Sequence, residues 1–247
     1  MRDLDDYQVQ YDDYPFENIL LKYRKKKIIE FLNFYKPNKI LEIGCGYDPL
    51  FTHFNDFDEL CIVEPSKKFF ENALKKAKMH DTNGKVSVRN TLFENDLDYL
   101  RSRKFEFVVL AGLLHEVESP NNMLNSVHKI INNDTVVHIN VPNANSLHRI
   151  VALHAGKINS VHELSDYNIR FQQSTVFDIK RLERLLLLEN FLIIDYGTLF
   201  IKPFAHSQMQ RLVDNSILDK TMLDGLYKAT NSLKDLGCEL YANVKVK

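Results

Sequence analysis

Along most of the chain, short apolar runs alternate with segments whose apolar residues recur every three or four positions. The runs are "KILEI" (39–43), "ELCIVE" (59–64), "KVSVR" (85–89), "FEFVVLAG" (105–112) and "TVVHINV" (135–141). Each has strand length and little internal polarity, the pattern of strands covered on both faces. Ahead of them, Phe16, Ile19, Leu20, Tyr23, Ile28, Leu32 and Tyr35 fall at helical spacing; the "RKKK" that interrupts them (24–27) reads as a solvated helix face. Between the runs, Ser66 caps a predicted helix that turns Phe69, Phe70, Ala73, Leu74 and Ala77 inward. Ser119 caps another, with Pro120 at its first position and Met123, Leu124, Val127, Ile130 and Ile131 on one face.

Strand followed by helix, repeated in this way, predicts an α/β fold: a doubly wound, mostly parallel sheet with helices on both faces. The rhythm breaks after Val141, where residues 142–173 are polar and predict a helical or loop insertion after strand five. It resumes in "STVFDIKRLERLLLLENF", where Thr175 and Asp178 have capping-box spacing, and in the strand "FLIIDYGTLF". Residues 204–237 read as helical, and "CELYANVKV" as a final antiparallel edge strand, the seventh. No repeat or Pro/Gly/Ser linker separates independent halves. We therefore expect a single domain spanning 1–247: an N-terminal helical lid (1–36), a core (37–142), a cap insertion (143–173) and a C-terminal part of the sheet with its own helical insertion (174–247).

Composition narrows the function. Hydrophobic residues make up 45% of the 247, enough for a sizeable core, and the net charge of −1 lacks the footprint of a protein that follows a phosphate backbone. No nucleic-acid partner is expected. Cys45, Cys61 and Cys238 are far apart without metal-ligand spacing, no apolar signal segment opens the chain, and no apolar stretch is long enough for a membrane-crossing helix. A reduced, cytoplasmic enzyme or binding protein is the expectation, with no metal site and no membrane insertion.

The chemistry begins in "KILEIGCGYDPLF" (39–51), where a buried strand ends at Glu42 and Ile43 and runs into Gly44 and Gly46. A glycine turn after a parallel strand lets backbone approach a ligand that side chains would block. At the end of the next strand, Glu64 offers an acid that can accept both hydroxyls of a ribose. Together they indicate an adenosine-type cofactor. A dinucleotide turn wants a third small residue three positions after the second glycine, and that position is Pro49.

"ILEIGCGYD", "CIVEPS", "TLFEND" and "FEFVVLAGLLHEVESP" instead resemble, in order and spacing over about residues 38–142, the motifs of the class I S-adenosylmethionine-dependent methyltransferases of small-molecule type. Asp48 stands where that family often has a third glycine. The resemblance implies S-adenosylmethionine as cofactor and S-adenosylhomocysteine as product. It places Glu42, Gly44 and Gly46 at the cofactor's amino-acid end and Glu64 with Pro65 at the ribose. Leu92 and Phe93 then flank the adenine, and Ala111 and Leu113 line the pocket near the sulfonium. Tyr11 and Tyr14, ahead of the first helix, have two readings, a lid over the cofactor or a hydrophobic anchor for the N-terminus. Phe93 can equally be plain core.

His115 and Glu116 follow the fourth strand on the side where such sheets bind ligands. His115 has two readings, a general base titrating near neutrality or a hydrogen-bonded residue pinning the turn; Glu116 reads as exposed or locally paired. The Asp/Asn-Pro-Pro-aromatic motif of methyltransferases acting on base amines is absent. Residues 140–175 resemble the region after strand five in bacterial small-molecule methyltransferases, often of polysaccharide or secondary-metabolite pathways. Asn143, Asn145, His148, Arg149, His162, Tyr167 and Arg170 are its hydrogen-bonding set and the candidates for acceptor binding. The expected activity is methyl transfer to oxygen or nitrogen of a small polar acceptor, with a sugar-linked or capsule-precursor acceptor as the first candidate. The rivals are a protein or RNA methyltransferase and a non-catalytic cofactor-binding regulator.

Overall fold

The computed structural model describes residues 15–80, 84–165, 168–169 and 173–247. Tyr11, Tyr14, Tyr167 and Arg170, named above as lid or acceptor residues, lie outside the described residues. Helix α1 (Pro15–Tyr35) leads into strand β1 (Lys39–Ile43), then β2 (Glu59–Val63), α2 (Lys67–Met79), β3 (Val86–Arg89), α3 (Leu97–Arg103) and β4 (Phe107–Ala111). There follow α4 (Pro120–His128), β5 (Val136–Pro142), α5 (Leu147–His154), α6 (Ile179–Leu188), β6 (Phe191–Leu199), α7 (His206–Asp214), α8 (Lys220–Lys228) and β7 (Glu239–Val246). The seven strands form one sheet in the order β3-β2-β1-β4-β5-β7-β6, the first five parallel.

Period-two burial divides the strands between two cores. Leu41, Ile43, Cys61, Val63, Val108, Leu110, Val137 and Ile139 face α3, α4 and α6, which bring Leu100, Met123, Leu124, Val127, Leu182 and Leu186. Ile40, Leu60, Ile62, Phe107, Val109 and Val136 point the other way, toward Ile28 and Leu32 of α1 and Ala73 of α2. Two predicted caps are made: Ser66 Oγ accepts from the Phe69 amide at 3.4 Å, and Ser119 Oγ from the Asn122 amide at 3.2 Å.

Three expectations are corrected. The last strand is not an edge: β7 lies between β5 and β6, antiparallel to both. Its Leu240, Ala242 and Val244 are buried, whereas the true edge, β6, exposes Leu192, Ile194 and Tyr196. The cap of α6 is Asp178 rather than Thr175, since Asp178 Oδ1 accepts from the Arg181 amide at 2.8 Å. The preceding Phe177 is instead bridged to Asn143, so the helix starts three residues later than the capping-box spacing suggests. Lastly, "RKKK" is not one solvated face: Arg24 and Lys25 turn inward, with side chains only 15% and 13% exposed.

The strand order reverses direction between β1 and β4, and the carboxyl ends of parallel strands at such a point frame a crevice. Gly44, Glu64, Gly112 and Asn143 each stand just past one of these ends.

Candidate active site

Two cavities open along this edge. The larger, about 620 Å³, lies over β1 and β2 and reaches β4. Its lining includes all the described residues that the sequence assigns to the cofactor: Glu42, Gly44, Gly46, Glu64, Pro65, Leu92, Phe93, Ala111 and Leu113. The glycine turn is held open by backbone geometry, with φ of +74° at Gly44 and +56° at Gly46, a region costly for side-chain-bearing residues. A Cβ on Gly46 would meet no described protein atom within 4 Å, so the space beside this turn is left for something else.

Two buried carboxylates organise the turn. Glu64 Oε2 accepts from the amides of Cys45 (3.0 Å) and Gly46 (3.3 Å), while among the described residues Oε1 accepts only from the Ser66 amide (2.9 Å). Oε1 therefore keeps a lone pair. Burial raises the Glu64 carboxyl above its ordinary range, against these three amides. Glu42 Oε2 accepts from the Leu50 amide at 3.0 Å. Burial, with the charges of Asp48 and Glu64, pushes Glu42 up to about 7 despite Lys25 and the Leu50 amide. A buried acid so raised is a carboxylate short of a cation.

Asp48, where the related motif often has glycine, fastens the turn to α1. Lys25 Nζ donates to its Oδ2 at 2.7 Å and also to its carbonyl, and His53 Nε2 lies 2.7 Å from Oδ2. The carboxyl sits well below its ordinary value: burial raises it, but Lys25 and His53 outweigh burial. Leu92 is 43% exposed, whereas Phe93 is buried in the core while also lining the cavity, so both of its readings hold geometrically.

The smaller cavity, about 360 Å³, lies over β4 and β5 and is walled by α1, α5, α7 and the β7 end. His115, Asn143, His148 and Arg149 line it; Asn145 does not, its amide being turned onto Asn143 Oδ1 at 3.0 Å. Asn143 itself is committed to the fold, donating to the carbonyls of Asp235 (2.8 Å) and Gly237 (2.9 Å). Arg149 clamps the following loop through the carbonyls of Val161 (2.7 Å) and Glu163. His162 is held 2.9 Å from Asp178 and lines neither cavity.

Three residues line both cavities: Arg24, Gly112 and Glu116. They are the wall between them. Glu116 is 8% exposed, so of its two readings the local pairing holds: its Oε1 lies 3.7 Å from Nε2 of the buried His115. Gly112 has a φ of +70°, and a Cβ there would come 3.2 Å from an Arg24 guanidinium nitrogen, so the glycine lets Arg24 lie across the wall. Arg24 forks onto both carboxylate oxygens of Glu239, with Nε at 2.8 Å from Oε2, and reaches Glu17 at 3.1 Å. His206 Nε2 lies 3.2 Å from Glu17, and His206 Nδ1 lies 2.9 Å from Nζ of Lys202. Burial lifts Glu17, but the hydrogen bond from His206 and the charge of Arg24 overcome it and bring the group to about 2.

Glu17, Arg24, Lys202, His206 and Glu239 form a polar network that sequence reasoning missed. A signal existed for the helical pair: Glu17 and Arg24 share the stripe 17, 21, 24, 28 with Leu21 and Ile28, charges on a helix face otherwise apolar. Lys202, alone within the apolar "LFIKPFA", was a second.

Comparison with known proteins agrees with this geometry. A family model described as a methyltransferase domain matches residues 20–195. No curated protein matches the chain by sequence. Among solved structures, the plantazolicin methyltransferase BamL, in complex with a triazolic analogue and S-adenosylhomocysteine, superposes with a TM-score of 0.58 at 15% identity, over 98% of this chain and 96% of that one. The YcgJ protein of Bacillus subtilis gives 0.57 at 12% identity, over 92% and 99%. An O-methyltransferase of a Brevibacillus brevis polyketide-synthase multienzyme, with S-adenosylhomocysteine, gives 0.55 at 14%, over 95% and 76%. At such identities the structural likeness is one of fold, while the family match covers most of the chain: the chain belongs to the methyltransferase-domain family and is a class I S-adenosylmethionine-dependent methyltransferase.

Proposed function

We propose that the larger cavity holds S-adenosylmethionine and that the smaller holds a small polar acceptor methylated on oxygen or nitrogen. The observation that carries this reading is the shared wall, where a cavity built on the glycine turn meets a second cavity, one with charged side chains in its lining, at Arg24, Gly112 and Glu116. The donor cavity suits the cofactor chemically. Glu42, a buried acid held up by burial despite the nearby charge of Lys25, fits an α-ammonium, and the lone pair of Glu64 Oε1 left open among the described residues fits a ribose hydroxyl. Leu92 and Phe93 offer apolar surface to an adenine, with Ala111 and Leu113 between turn and wall.

When bound, the cofactor supplies a methyl carbon already activated by a sulfonium. The chain's own tasks are positioning and proton removal. His115 takes the acceptor's proton on its imidazole, and the Glu116 carboxylate, 3.7 Å from Nε2, stabilises the cation so formed. The solved neighbours whose printed descriptions include S-adenosylhomocysteine or an O-methyltransferase support the same class of reaction. The narrower reading, an acceptor from polysaccharide or capsule-precursor synthesis, rests on the resemblance of residues 140–175. A cytoplasmic location is supported by three free, buried thiols, and among the described residues no helix is long and apolar enough to cross a membrane.

Calorimetry with S-adenosylhomocysteine and with NAD tests the donor half. We expect stoichiometric binding of the first and none of the second; tight NAD binding with no response to S-adenosylhomocysteine would overturn the reading.

A further inference from the structure

Among the described residues, cations and carboxylates lining the smaller cavity are equal in number: Arg24, Arg149 and Lys202 against Glu17, Glu116 and Glu239. They are not equally committed. Glu239 is gripped by the Arg24 fork, and Glu17 is shared between Arg24 and His206. Lys202 is only 2% exposed, yet of its three N–H donors one is used, toward His206 Nδ1 at 2.9 Å. No other protein group among the described residues takes the remaining two. A buried ammonium with open donors is a costly arrangement unless an acceptor completes it.

A second observation points the same way. His148 lines the same cavity, and its Nδ1 is buried without a hydrogen-bond partner. It also sits close enough to Lys202, His206 and Arg149 that, after burial, their charges hold its imidazole well below the ordinary histidine value. Lys202 is likewise lowered, by burial first and by Arg149 in addition, against Cys238, Glu17 and Glu239. Basic groups gathered on one cavity and depressing one another are a charge distribution that a bound anion relieves. Lys202 is also three hydrogen-bonded steps from the wall, through His206, Glu17 and Arg24, so an anion there leaves the wall free for the reacting atom. The cavity of about 360 Å³ is at the small end of ligand sites, roughly 300–1,000 Å³.

Resting on the methyltransferase reading, we propose that the acceptor is an anion, a small molecule whose carboxylate or phosphate oxygens are held by Lys202 and His148 while its nucleophilic oxygen or nitrogen faces Gly112 and Glu116. The acceptor is thus bound at one end by charge and methylated at the other.

The test uses the full chain saturated with S-adenosylhomocysteine and titrated by calorimetry with benzoate, the isosteric neutral benzamide, and inorganic phosphate. Benzoate or phosphate is expected to bind at least tenfold more tightly than benzamide, and the tighter of the two identifies the anion's source. Lys202→Met should weaken that binding tenfold or more and His148→Leu severalfold, with S-adenosylhomocysteine affinity unchanged as proof of an intact fold. Equal binding of benzoate and benzamide with no response to phosphate overturns the inference without needing any variant. Anion binding that survives Lys202→Met also overturns it. In both cases retained S-adenosylhomocysteine binding leaves the methyltransferase reading standing, and only loss of that binding in the unaltered chain would strike the reading itself.

Discussion

The two cavities share a wall and a sheet edge but are assembled in opposite ways. The donor cavity is built mostly from short contiguous stretches at the carboxyl ends of parallel strands, 42–48 at β1, 64–66 at β2, 91–94 at β3 and 111–113 at β4, with Leu21, Arg24, Lys25 and Ile28 of α1 closing one side. The acceptor cavity gathers residues from both ends of the chain, Glu17 and Arg24 of α1 with Lys202, His206 and Glu239, around the turns after β4 and β5. One is a sequence motif folded in place; the other exists only after the last strand has inserted between β5 and β6. The contrast teaches that donor chemistry is set by local backbone geometry, and acceptor chemistry by long-range side-chain pairing.

The sharpest way to break the contrast is at His115, which lines the acceptor cavity alone. His115→Ala is expected to cost about 10²–10⁴ in kcat while leaving the donor Kd within about twofold. Single-turnover assays with the acceptor, beside donor calorimetry, measure both. A loss confined to a few-fold would assign His115 to pinning the turn.

The next effect is on stability. Arg24→Met leaves Glu239 buried without its guanidinium and Glu17 with His206 alone, and removing one partner of such a buried set typically costs about 3–5 kcal/mol. Urea denaturation should show this loss, together with weakened binding on both sides of the wall. A stability change within about 0.5 kcal/mol, the usual range for surface substitutions, would mean that the network does not join α1 to β7 energetically.

These two sites also mark what the sequence made legible. The donor side could be read because its strand-end elements are local: an apolar strand, a glycine turn and an acid at the next strand end, whereas its α1 wall, with Lys25 on Asp48, was not. The strands β1 to β5 and the caps Ser66 and Ser119 were readable for the same reason. The position of β7 was not, since "CELYANVKV" alternates as an edge strand does, and only its pairing with β5 and β6 buries it on both sides. Arg24 was misread because a charged residue in a basic run is solvated by default, whereas for Glu116 the local pairing, one of its two readings, is the one found. The Arg24 partner Glu239 lies 215 positions away in the chain.

Two smaller predictions sharpen the donor side. Glu64→Ala removes the proposed ribose acceptor and frees the Cys45, Gly46 and Ser66 amides, and should weaken S-adenosylhomocysteine binding by about 1–3 kcal/mol, roughly five- to over a hundredfold. An unchanged Kd would contradict the ribose assignment. Glu42 gives a pH signature of about tenfold per unit at most. Its carboxyl, raised to about 7 in the free protein, is ionised on pairing with an ammonium, so below pH 7 binding releases protons and affinity rises with pH until it levels off above 7. Calorimetry at pH 6 in two buffers of different ionisation heat should register that release. Proton uptake, or no linkage, would place the ammonium elsewhere.

The division of the site at the wall of Arg24, Gly112 and Glu116 is tested most directly by a crystal structure of the chain with S-adenosylhomocysteine. Adenine against Leu92 and Phe93, amino group beside Glu42, and sulfur facing Gly112 and Glu116 with the smaller cavity open beyond is the expected result. A sulfur turned away from that wall, or the ligand seated in the smaller cavity, would contradict it.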